Sequence, residues 1–257
     1  MDGGENMSRR SRLTRFIITA VLIVFIILAF IWKTGPGYGV FILPPSPGDY
    51  GSYVLSRLEQ GLGSGTTEWI SQKEIFRQKL KNAQTYDEAD EVLKEAILTA
   101  GGKDSKLITR DEKERAIYNF AKPEVVRNGD ILTITLPEFM GNSAQAENYV
   151  RTVSDALTGR NYRGVILDIS NLKGGSPGAL FSSVAPLLED GKLMTLVYRG
   201  GHRQDITLSK GQISGFSDAL KTESIKNSTR IPLAVITGEN TEGSGEQLLT
   251  AFNGREN

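Results

Sequence analysis

Cysteine is absent from the 257 residues, which excludes disulfide staples, thiolate zinc sites and a cysteine nucleophile together. Histidine is nearly absent, and the single His202 rules out a histidine-rich metal site. Net charge is missing as well. Lys plus Arg and Asp plus Glu both number 30, so no field of one sign points to a nucleic-acid partner. The chain carries no long low-complexity tract and no short-period repeat. Nothing in the residue pattern implies a metal or an organic cofactor.

What the chain does have is one long apolar run. Phe16 to Trp32 holds roughly 17 uncharged residues, the lower edge of what crosses a hydrocarbon core of about 30 Å as a helix. Arg9, Arg10, Arg12 and Arg15 precede it as a positive cluster that stays cytoplasmic, and Trp32 and Lys33 suit the far interface. The expected topology is a single-pass anchor with everything from about Thr34 outside the cytoplasm. A cleaved signal peptide is the competing reading, but Ile31-Trp32-Lys33-Thr34-Gly35-Pro36 lacks the small-residue pattern of a cleavage site. A soluble core helix would need a polar stripe, which this run lacks.

Beyond the run, Gly35 to Gly51 is rich in glycine and proline and reads as an extended spacer lifting the body off the membrane. Helical spacing follows over Tyr53 to Leu62 and over Thr67 to Asn82, with Trp69, Ile70, Ile75, Phe76 and Leu80 as apolar positions. Thr85 to Glu88 then opens a stripe of Ala89, Val92, Leu93, Ala96, Ile97 and Leu98, and Gly101-Gly102 stops that helix. From Pro123 the pattern changes. Val125-Val126 and Ile131 to Leu136, joined by Asn128-Gly129-Asp130, predict a hairpin. A helix is expected over Ala144 to Leu157, a strand at Gly164 to Ile169, a helix over Leu180 to Leu188, and strands at Leu193 to Tyr198 and Ile231 to Ile236. Strands alternating with helices predict an α/β core with largely parallel strands buried on both faces.

Two of those strands empty into glycine-rich polar loops, where a parallel sheet presents its ligand sites. The first leads to Lys173-Gly174-Gly175-Ser176, whose glycines could expose backbone N–H groups as an oxyanion hole or serve only as a βα turn. The second leads to Thr241-Glu242-Gly243-Ser244-Gly245-Glu246. Ser244 between glycines is a candidate hydroxyl nucleophile or, equally in type, a turn and N-cap serine. Glu242 stands where a G-x-S-x-G elbow has its first glycine, so that motif is not met. His202, in the polar turn Arg199 to Arg203, is either an exposed structural residue or a substitute base.

The combination resembles peptidase family S41, the tail-specific or C-terminal processing serine peptidases, and looks closest to its membrane-anchored nisin-resistance branch. Ile-Leu-Asp-Ile-Ser-Asn-Leu-Lys-Gly-Gly at 166–175 and Val-Ala-Pro-Leu-Leu-Glu-Asp-Gly at 184–191 carry one half of the likeness. The strand, loop and helix of 231–254 resemble the nucleophile segment, and the likeness runs from about Tyr53 to Asn257. The resemblance implies an α/β fold with a crotonase/ClpP-like core of ββα units and a helical N-terminal cap, preceded by one transmembrane helix. It implies cleavage near the carboxyl end of a peptide or protein. The expected organisation is a cytoplasmic basic tail over 1–15, the span over 16–32, a linker over 33–51, a helical cap over 52–122, and a C-terminally incomplete peptidase core over 123–257.

Carried over residue by residue, the resemblance puts Gly243 at the nucleophile position, with Ser244 one place late. It puts Asp104, in Gly101-Gly102-Lys103-Asp104-Ser105, where the basic histidine belongs, and Gly174 and Gly175 at the oxyanion glycines. Ser170 and Leu172 stand where the family's pattern has arginine and asparagine. No lysine follows Ser244 to act as the base used in other branches. An aspartate with a pKa near ~4 is a poor base for a serine hydroxyl. Three functions stay open: an S41-type peptidase homologue with impaired catalysis, a peptide-binding pseudoprotease, and a non-functional remnant. The partners expected are a peptide or protein C-terminal segment and the membrane, with no nucleic acid and no metal.

Overall fold

The structure is a computed structural model that describes residues 3–35, 40–102, 105–159, 162–223 and 230–255. The chain divides into two compact units, Met1–Leu107 and Ile108–Asn257.

The first unit is helical. Helix α1 spans Gly3–Thr34, and its Phe16–Thr34 stretch is apolar enough to cross a membrane with none of it buried by protein. Helices α2 (Pro47–Leu58), α3 (Thr67–Asn82) and α4 (Tyr86–Gly101) pack Leu55, Trp69, Phe76, Leu80, Leu93 and Ala96 into one core. Each start is fixed locally. The Ser46, Thr66 and Thr85 hydroxyls accept from the amides of Asp49, Trp69 and Glu88, satisfying donors that a helix leaves unpaired. Pro47 sits in the first turn of α2, where its missing N–H costs nothing, so the last part of the Gly/Pro-rich stretch is helical rather than extended. Ile70 and Ile75, two of the apolar positions on α3, face outward.

The second unit is α/β. After α5 (Arg110–Tyr118), strands β1 (Glu124–Asn128) and β2 (Ile131–Thr135) form the predicted hairpin, with Gly129 at φ 60° in its turn. Helix α6 (Ser143–Thr158) crosses to β3 (Gly164–Asp168), parallel to β2. Helix α7 (Pro177–Val184) is shorter than its apolar run, which ends in a 3₁₀ turn at Ala185–Leu187 around Pro186. Strands β4 (Gly191–Val197), β5 (Arg203–Ser209) and β6 (Gln212–Ser214) then build a separate antiparallel sheet. Finally β7 (Leu233–Ile236) returns parallel to β3 and leads into α8 (Ser244–Thr250), giving the order β1-β2-β3-β7.

This topology corrects two expectations. The strand at 193–198 belongs to the second sheet, and the parallel part of the main sheet is β2-β3-β7. Nor are β3 and β7 buried on both faces. Leu132, Val165 and Leu233 lie in register on the inner face, as do Ile134, Leu167 and Val235, while Ala234 and Ile236 are exposed on the other. β7 ends the described sheet order, and the alternation of one buried face governs it. Because β3 and β7 are neighbours, their carboxyl-end loops emerge side by side.

Candidate active site

The loops after β3 and β7 are sewn together by hydrogen bonds from both sides. Ile169 N donates to Ile236 O (2.9 Å), extending the ladder one step past the strands. The buried Thr241 hydroxyl donates to Ile169 O and accepts from Gly238 N, both at 2.9 Å. Glu242 N donates to Leu172 O (3.0 Å), and Asn240 Nδ2 donates to Asn171 Oδ1 (3.1 Å). Leu172 is fully buried in the core, and Ser170 bonds back to Asp168 Oδ1 through both its amide and its hydroxyl. The positions that differ from the S41 pattern therefore serve the loop's own fold.

Gly175 lies against the segment after β2. It forms a parallel bridge with Phe139, and Ser176 N donates to Phe139 O (2.8 Å). A Cβ at Gly175 would meet Phe139 O at 2.5 Å, and φ is 99°, so space and torsion both require glycine. Phe139 is held in turn by Tyr149, whose ring is 5.1 Å away and whose hydroxyl donates to Pro137 O (2.8 Å). Burial pushes the Tyr149 phenol well above the ordinary tyrosine range. Ser176 then caps α7, with Pro177 in its first turn.

On the other loop, Gly243 stands immediately before α8 at φ 53°, ψ −111°, a sharp turn that glycine makes without strain and that other residues rarely adopt. A Cβ there would lie 3.8 Å from Gly174 Cα and from Lys173 O, so the space beside Gly174 admits a side chain. Ser244 is only 8% exposed, and its hydroxyl donates to Gly175 O at 2.7 Å. Among the described residues the amides of Gly174, Gly175, Gly243 and Ser244 have no protein acceptor.

Gly174, Gly175, Gly243 and Ser244 are thus brought together. Asp104 lies outside the described residues. His202 is exposed at the turn between β4 and β5, on the other sheet, with its ring 5.6 Å from that of Tyr198. Sequence reasoning missed Thr241 and Phe139. A threonine two places before the glycine could have been read as a loop pin, whereas nothing local marks Phe139 as the partner of Gly175.

Comparison with known proteins agrees with this arrangement. Residues 130–257, which hold both loops, match peptidase family S41. The nisin-resistance protein of Lactococcus lactis subsp. lactis is 31% identical over 242 residues, covering 93% of this chain and 76% of that protein. A solved lipoprotein structure from Streptococcus agalactiae superposes with a TM-score of 0.70 at 28% identity, over 85% of this chain and 76% of that one. On this likeness along nearly its whole length, the chain belongs to peptidase family S41.

Proposed function

We propose that this protein is a membrane-anchored, extracytoplasmic S41 homologue that holds peptide segments and has lost most of the family's hydrolysis. One observation carries the reading. On the resemblance, the nucleophile's position falls on Gly243, which makes a sharp turn before α8 and has open contact distance for a Cβ beside Gly174 but offers no hydroxyl. The neighbouring Ser244 does not replace it, because its proton is engaged by the Gly175 carbonyl and its side chain is buried. A serine attacks at neutral pH only when a base takes its proton, and Asp104 at the base position is too weak a base for that.

What supports ligand binding is the set of amides around Gly174–Gly175 and Gly243–Ser244 that have no acceptor among the described residues, the donors that would hold a carbonyl oxygen. Residues 123–257 would form a crotonase-like core and 52–122 its helical cap, with the span over 16–32 and the arginines before it on the cytoplasmic side. The relative's name makes nisin the first ligand to try.

The test uses the full chain in lipid nanodiscs with nisin and a peptide library. Binding by calorimetry without cleavage by mass spectrometry is expected. In the double variant Gly243→Ser, Asp104→His, the new hydroxyl would attack the scissile carbonyl and the imidazole would take its proton, so cleavage is expected to appear. Turnover by the unaltered chain would refute the loss of catalysis, and absence of binding would refute the peptide reading.

A further inference from the structure

Between Lys33 and Asp49 the sequence holds no charged residue. If fully extended at 3.3–3.6 Å per residue, the stretch from 35 to 46 would lift the body about 40 Å from the end of the span. It does not run that way. Val40 N donates to Gly35 O (2.9 Å), bringing residue 40 back against the end of α1, and Gly35 is buried there with no room for a Cβ against Val40 O.

The segment that follows is fixed at two points. The Phe41 ring packs edge-on against Tyr53 of α2 at 5.8 Å, and the Tyr86 hydroxyl donates to Pro45 O. With Phe41 turned inward, its neighbours point out: Val40 is 53% exposed, Ile42 45% and Leu43 72%. Trp32, at the end of α1, is 71% exposed, and a cleft of about 290 Å³ lies between it and this segment. Large apolar side chains grouped this way are costly in water and suited to the boundary of a bilayer, where tryptophan also concentrates.

We propose that Val40, Ile42 and Leu43 lie with Trp32 in the lipid headgroup and acyl boundary of the outer leaflet, so that the stretch after the span holds α2 down at the membrane surface. The occupant of the patch is lipid. Its continuity with the span through the Gly35–Val40 hydrogen bond, and the lack of charge between Lys33 and Asp49, which reaches the cleft from the start of α2, distinguish it from a polar spacer. This inference rests on the anchored reading of α1 given above.

The absence of native cysteine allows single nitroxide labels on the full chain in phosphatidylcholine and phosphatidylglycerol vesicles. Labels at Leu43→Cys, Val24→Cys and Glu91→Cys report the segment, the span and the exposed face of α4, by collision with oxygen and with an aqueous nickel chelate. The Leu43 label is expected to be several-fold less accessible to nickel than the Glu91 label, and shallower than the Val24 label. A Leu43 label as accessible as that at Glu91, with Val24 protected, overturns the inference and leaves the anchor intact. Nickel access at Val24 overturns the anchor itself. Protection of Leu43 that disappears on dilution to one chain per vesicle assigns the patch to a second copy and overturns the lipid proposal.

Discussion

Replacing Ser244 by alanine separates a structural serine from a catalytic one. The substitution removes a hydroxyl whose single bond, 2.7 Å to Gly175 O, ties α8 to the glycine turn. Such a bond is worth about 0.5–1.5 kcal/mol, and Gly175 is only half-buried, so water can replace the lost donor and no larger penalty is expected. That range speeds hydrogen exchange by about 2- to 13-fold where exchange follows local opening. Exchange mass spectrometry over 164–176 and 233–250 is the assay, because both tryptophans, Trp32 and Trp69, lie outside residues 108–257 and tryptophan fluorescence does not report on this unit. Peptide binding should weaken modestly and hydrolysis should not change. Had Ser244 been the nucleophile, the same variant would lose about 10⁴- to 10⁶-fold in turnover with little change in exchange. That second pattern would refute the reasoning about position 243.

The two turn glycines should respond unequally to alanine. Gly175→Ala drives a Cβ into Phe139 O and N at 2.5 and 2.6 Å on top of a torsional cost of about 1–3 kcal/mol, whereas Gly174→Ala, with its nearest neighbour Glu138 Oε1 at 3.6 Å, meets only the torsional cost. At about 2–4 °C per kcal/mol, calorimetric melting should place Gly175→Ala clearly below Gly174→Ala, and equal midpoints would count against the Phe139 bridge. For pH, the raised Tyr149 pKa means that the folded chain keeps the phenol protonated while the unfolded chain releases its proton above about 10. This residue's contribution is therefore complete below that pH and declines as pH rises past it, by up to about 1.4 kcal/mol per unit. Tyr149→Phe should remove that part of the alkaline slope in denaturant titrations while costing about 0.5–1.5 kcal/mol at pH 7 for the bond to Pro137 O, and an unchanged slope would contradict the burial argument.

Much of the fold was legible because its signals are local. The uncharged run of α1, the Thr85 cap and Gly102 stop of α4, and the Gly129 turn of the hairpin each depend on residues a few places apart. The second sheet also left a local trace that went unread, with Ile206, Leu208 and Ile213 buried on either side of the Lys210-Gly211 turn. What no local pattern carried was which strands share a sheet. Ile231 to Ile236 reads as a fully buried strand, yet Ala234 and Ile236 are exposed, because an apolar run looks the same at the centre of a sheet and at its edge. Likewise Gly35 to Gly51, with its Pro44-Pro45-Ser46-Pro47, reads as an extended spacer, although Ser46 and Pro47 together start a helix.

At the site, counting along the sequence puts Gly243 at the place of the family's nucleophile and Ser244 one position late. Backbone conformation adds what a count of positions cannot carry. The positive-φ turn, with φ 53° and ψ −111°, belongs to residue 243, and residue 244 already has the inward hydroxyl of a first-turn helical residue. On the proposed reading, that turn at a glycine, next to amides with no acceptor among the described residues on two loops fastened by Thr241, keeps groups that hold a carbonyl at a place where the reacting hydroxyl is missing.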